Sequence, residues 1–127
     1  MKKIIRTADA PAAIGPYSQA VEAGNTLYIS GQIPIDPATG NLVEGDITLQ
    51  TARVLKNISA ILSAAGFSFN DVVKSTCLLS DIADFKAMTE VYGQYYTENQ
   101  PARAAFAVKA LPMGALIEIE TIAVKNK

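Results

Sequence analysis

Apolar residues recur along the chain with two different periods. Leu49, Ala52, Leu55, Ile58, Ile61, Leu62 and Ala65 are spaced by threes and fours, which predicts an amphipathic helix. Asp46 or Thr48 can cap its start, and Gly66 tolerates the left-handed conformation that closes a helix. A second set, Phe85, Met88, Val91, Tyr92 and Tyr95, predicts another helix from about Ile82 to Thr97. Its aromatic stripe reads as core. A helix with one apolar face needs a sheet to cover it.

The remaining segments alternate with a period of two or run continuously apolar. Lys2 to Arg6, Ser18 to Glu22 and Thr26 to Ser30 read as strands, the last two joined across the hairpin dipeptide Gly24-Asn25. Gly31 to Pro37 must leave the sheet, because Pro34 has no N–H to donate to a central ladder. Val72 to Leu79 has apolar residues on both faces, Val73, Cys77 and Leu79 on one and Val72 and Leu78 on the other, the mark of a central strand. Pro101 then introduces a strand in which Arg103, Ala105 and Ala107 share a face, with Ala104, Phe106 and Val108 opposite. In the last strand, Ala115 to Lys125, Ile117, Ile119 and Ala123 face one way and Leu116, Glu118, Glu120, Ile122 and Val124 the other. The order is β-β-β-α-β-α-β-β. This is an α+β chain of one domain, residues 1–127, a mixed β-sheet with two helices packed on one face. The face that carries the glutamates is left without cover.

Composition narrows the chemistry. Half of the 127 residues are hydrophobic and 18% are charged, an apolar balance that implies contact with another subunit. A net charge of −1 with scattered Lys and Arg offers no footprint for nucleic acid or an anionic membrane. No run is long enough to span a bilayer. The single cysteine, Cys77, reads as a buried small hydrophobe and fits a reducing, cytoplasmic setting. Histidine is absent, which removes Ser/His and Cys/His nucleophile pairs and the commonest transition-metal ligand. No cofactor fingerprint is present, and no metal or cofactor is expected. Any reaction must be undemanding in proton transfer.

The polar residues that could carry such a reaction are Tyr17 after Gly15-Pro16, Ser30 before Gly31, Arg103 and Glu118. Small neighbours leave room for a carboxylate to meet the planar fork of Arg103 through two parallel hydrogen bonds. The same pattern also fits a structural ion pair between Arg103 and Glu118, and both readings stay open at this level.

Ala10-Pro11-Ala12-Ala13-Ile14-Gly15-Pro16-Tyr17-Ser18-Gln19-Ala20, Ser30-Gly31-Gln32-Ile33-Pro34, Pro101-Ala102-Arg103 and Ile117-Glu118-Ile119-Glu120 resemble the signature segments of the RidA (YjgF/YER057c/UK114) family, essentially end to end. The resemblance implies a chorismate-mutase-like fold (the YjgF fold) and a homotrimer with clefts between subunits. It also implies hydrolytic deamination of reactive 2-enamine and 2-imino acids, such as 2-iminobutanoate and 2-iminopropanoate, to 2-keto acids and ammonia. Arg103 matches the family's carboxylate clamp and Glu118 the residue that holds the attacking water. Tyr17, Ser30 and Gly31 match the cleft lining. Two positions depart from the pattern: Ala105 stands where many relatives have cysteine, and Thr89 where many have asparagine. A backbone N–H at Ala105 would suffice for binding, whereas Thr89 reaches less far than an amide. Two alternative functions remain, a regulatory protein that binds small carboxylates without turnover and an RNA-cleaving translation inhibitor. The charge and the lack of histidine argue against the second.

Overall fold

Six strands and two helices form in the order that periodicity predicts. In a computed structural model that describes residues 1–125, the elements are β1 (Lys2–Ile5), β2 (Ala20–Ala23), β3 (Thr26–Gln32), α1 (Ile47–Ala64), β4 (Val72–Leu79), α2 (Phe85–Tyr95), β5 (Ala102–Ala107) and β6 (Ile117–Val124). The spatial order in the sheet is β1-β2-β3-β6-β4-β5. Neighbours pair antiparallel except β4 with β5, which run parallel. The last strand is thus inserted in the middle, between β3 and β4. Although β5 and β6 are consecutive in the chain, β4 separates them.

Both helices cover one face. Leu27 and Ile29 of β3, Cys77 and Leu79 of β4, and Ile117, Ile119 and Ala123 of β6 pack with Val54, Leu55, Ile58, Ile61 and Leu62 of α1 and Met88, Val91 and Tyr92 of α2. Each such large aliphatic side chain contributes about 1.5–3 kcal/mol by leaving water. Asp46 is the α1 cap, its Oδ1 accepting from the Leu49 N–H at 3.0 Å. Leu49 itself, expected on the apolar face, is 58% exposed. Gln50 and Asn57 are buried instead, because their amides satisfy loop backbone. Gln50 donates to the Val43 carbonyl at 3.2 Å and accepts from the Leu116 N–H at 2.8 Å, and Asn57 donates to the Ile35 carbonyl at 2.9 Å. At the other end of α1, Gly66 adopts φ +79°, the left-handed stop expected of it.

β4 is the central strand expected, but its faces differ from the simple alternation. The β4–β6 register slips between Val72 and Lys74, so one extra residue reverses the parity. Val72, Ser75, Cys77 and Leu79 face the helices, and Val73, assigned to that face by alternation, is exposed. Cys77 is fully buried, and burial pushes its thiol up to about 11, so it is the inert core residue expected.

The second face of the sheet carries Tyr28, Ser30, Lys74, Thr76, Leu78, Phe106, Glu118, Glu120 and Ile122. No helix among the described residues covers it. Tyr28 and Phe106 are each about half exposed there.

Candidate active site

The predicted site residues fall into two groups. The first is built by the N-terminal loop, β3 and β6. Gln19, 4% exposed, holds the loop from inside: it accepts from the Thr7 N–H at 2.8 Å and donates to the carbonyls of Thr7, Ala10 and Pro11 at 3.0, 3.3 and 2.8 Å. The second strand begins at Ala20 rather than at Ser18 as the alternation suggests; the Gln19 side chain is turned to the loop, while its carbonyl accepts from the Ser30 N–H of β3 at 3.0 Å. Tyr17 projects half exposed, its hydroxyl accepting from the Ile14 N–H at 3.4 Å, and lines a cleft of about 490 Å³ with Arg6, Ala12 and Gly15. Ser30 donates to the Ser18 carbonyl at 2.6 Å, which ties the Tyr17 loop to β3. A register shift between Ile29 and Gln32 brings Gly31 directly against Glu118. A Cβ at Gly31 would overlap the Glu118 carboxylate and lie 2.9 Å from its Cδ, so glycine is what allows the acid to lie flat on the strand. Partial burial raises the Glu118 pKa, and the neighbouring Glu120 raises it further. Glu120 faces a separate cleft of about 330 Å³ with Ser30, Lys74 and Thr76.

The second group belongs to β5 and α2. Arg103 pairs in register with Ser75 of β4, so its side chain rises on the helix face. Its Nη1 donates to the Thr89 hydroxyl at 3.3 Å. The guanidinium carbon stands 5.3 Å from the Phe85 ring centroid and 5.0 Å from that of Tyr92, within cation–π range. The small neighbours expected along the strand are present, but aromatic walls from α2 stand beside them. Phe85, Thr89 and Tyr92 are spaced i, i+4, i+7 on one helix, a signal that assigning the stripe wholly to the core passes over. β5 is a sheet edge. The N–H of Val108 bonds to the Leu79 carbonyl at 2.8 Å, so alternation turns the N–H groups of Arg103, Ala105 and Ala107 away from β4 toward the open edge.

The two groups do not meet within the chain. Arg103 rises on the helix face of β5 and Glu118 on the opposite face of β6, with β4 between them. The structural Arg103–Glu118 ion pair left open by the sequence is therefore excluded within one chain, and Arg103 is not among the groups that shift the Glu118 pKa. Among the described residues, no cluster of three or more Cys, Asp or Glu side chains is arranged to hold a metal ion.

The model of the family described as Endoribonuclease L-PSP matches residues 7–125. The chain belongs to that family, the RidA family. It is 59% identical to a RutC family protein of Pyrococcus horikoshii, over 99% of this chain and 100% of that one. It is 53% identical to the human protein named 2-iminobutanoate/2-iminopropanoate deaminase, over 99% of this chain and 92% of that one. The crystal structure of E. coli TdcF with bound serine superposes with a TM-score of 0.93 at 42% identity, covering 98% of this chain and 99% of that one. The fold implied by resemblance to the RidA family is the fold observed. At its two points of departure this RidA chain keeps a backbone donor on the edge at Ala105 and a short hydroxyl, Thr89, on the arginine.

Proposed function

We propose that the chain hydrolyses 2-imino acids of the 2-iminobutanoate and 2-iminopropanoate type, at sites formed where the Arg103 group of one copy meets the Glu118 group of another. The observation that carries this reading is the split itself. A cation without a carboxylate partner among the described residues and an acid of raised pKa lie on opposite faces of one sheet, each held by its own support and open on one side. The names of relatives at over half identity supply the substrate class. A homotrimer with clefts between subunits is the assembly that would close the gap and cover the open face.

Arg103 would grip the substrate carboxylate, with the Ala105 N–H as a further donor. Glu118, resting on Gly31, would hold water against the C2 carbon. The water oxygen adds to C2 as one of its protons passes to Glu118, which then gives that proton to the imine nitrogen. In the resulting carbinolamine the hydroxyl proton passes by way of Glu118 to the amine as the C–N bond breaks, releasing ammonia and leaving the 2-keto acid with Glu118 ionised again. The imine carbon is already electrophilic, so orientation and one acid–base group suffice. Tyr17 and Ser30 would line the water side.

The test generates 2-iminobutanoate in situ in the presence of semicarbazide as a competing trap. Wild type is expected to accelerate keto-acid release, and Arg103→Ala and Glu118→Gln each to abolish the acceleration. An equimolar mixture of the two variants, unfolded and refolded together, should recover about a quarter of wild-type activity, because each site draws its two residues at random from the pool. No recovery would sink the shared-site reading. A second reading, capture of a small carboxylate without turnover, draws on the serine bound to TdcF. Calorimetric binding of 2-ketobutyrate with no catalysis on any imino acid would favour it.

A further inference from the structure

Arg103 meets α2 on three sides' worth of contacts: a hydroxyl on Nη1 and two rings against the guanidinium carbon. The groups that hold it, Phe85, Thr89 and Tyr92, come from successive turns of one helix whose core face is pinned by Met88 and Val91. A long cationic side chain on an edge strand would otherwise sample many rotamers. We propose that Thr89 is a positioning residue, which fixes the rotation of the guanidinium so that its Nε–Nη2 edge is the one presented to a ligand carboxylate. The inference rests on the carboxylate-clamp reading of Arg103.

The chemistry follows from the donor count. Arginine carries five N–H groups in a rigid plane. Thr89 takes one of those on Nη1, and whichever it takes, the Nε–Nη2 edge keeps both of its parallel donors. The Phe85 and Tyr92 rings favour the plane that lays the guanidinium against them. With Nη1 held at Thr89, the side-chain torsions up to Nε are fixed, and these settle which edge faces outward. Threonine suits this task because its Oγ1 accepts from Nη1. Its short reach leaves open the cleft of about 360 Å³ that it lines with Gly93, Thr97, Gln100 and Arg103.

The effect belongs to binding. A carboxylate gripped equally in the ground state and the transition state changes KM and leaves kcat nearly alone. Thr89→Val is isosteric at a half-buried position and removes only the acceptor. It is expected to raise KM for 2-iminobutanoate about ten-fold, as loss of one hydrogen bond to a charged group does, with kcat within about two-fold. The dissociation constant for 2-ketobutyrate should rise by the same factor in calorimetry. Thr89→Ser should restore both, since it keeps the hydroxyl. In ¹⁵N spectra of the ligand-free protein, the Arg103 side-chain N–H signals should be resolved in wild type and Thr89→Ser, and averaged by rotation in Thr89→Val. Wild-type KM, binding and spectra in Thr89→Val would overturn the proposal, as would a loss that Thr89→Ser fails to rescue. Should wild type show no imine hydrolysis, the catalytic reading fails, while the calorimetric and spectroscopic comparison still decides the role of Thr89.

Discussion

β6 carries two surfaces of opposite character on one strand. Ile117, Ile119, Thr121 and Ala123 are no more than 1% exposed beneath the helices, whereas Glu118, Glu120, Ile122 and Val124 stand on the open face, half buried or exposed. The odd-numbered side chains hold the molecule together, and the even-numbered ones leave polar groups accessible for chemistry. Adjacent residues therefore answer to different demands, and it should be possible to damage one function while sparing the other.

The sharpest way to break that separation is Glu118→Gln. With Glu118 as the proposed acid–base group, the change should cost about 10²–10⁴-fold in kcat/KM, while urea unfolding stays within about 0.5 kcal/mol of wild type. A comparable loss of stability would show that the open face is also structural. One position along, Ile119→Ala should do the reverse, lowering stability by about 2–5 kcal/mol through an internal cavity, with kcat/KM nearly kept at a temperature where the variant is folded. Gly31→Ala tests the support of the acid. The new methyl must push the Glu118 carboxylate aside, and kcat/KM should fall by up to about 10²-fold as a displacement of about an ångström misaligns the water; unchanged activity would remove Gly31 from the site. The smallest effect is expected from Glu120→Gln. Glu120 raises the Glu118 pKa, so neutralising it should move the acid limb of the kcat/KM profile to lower pH. Movement to higher pH, or none, would break the link between the two carboxylates.

Much of the fold is legible in the period of the apolar residues, because a covered face imposes its repeat on each element. Both helices, the β4 centre and the two faces of β6 follow from that. The misreadings share a cause, in that a single chain pattern does not show irregular pairing. Alternation puts Val73 with Cys77 because it assumes no bulge, and the apolar period puts Leu49 inside because polar Gln50 and Asn57 are unfit for burial without the loop backbone that they satisfy. For the candidate site, the family resemblance names residues and does not give their arrangement. Arg103 and Glu118 lie on consecutive strands, and only the insertion of β6 between β3 and β4 separates them. Sequence spacing says nothing about that insertion. The contact between Arg103 and Phe85, Thr89 and Tyr92 is not visible in the apolar period for a related reason, since the same helical stripe serves the core at one edge and the arginine at the other.

Gln19 has a consequence for assembly. By satisfying backbone groups of Thr7, Ala10 and Pro11 from within, it orders the loop that carries Tyr17 as the chain folds. Ordering a backbone residue costs about 1–2 kcal/mol of conformational entropy. For this wall of the cleft that cost falls at folding rather than at encounter. A second copy would then meet a surface already shaped, and association would proceed closer to rigid docking than to coupled folding.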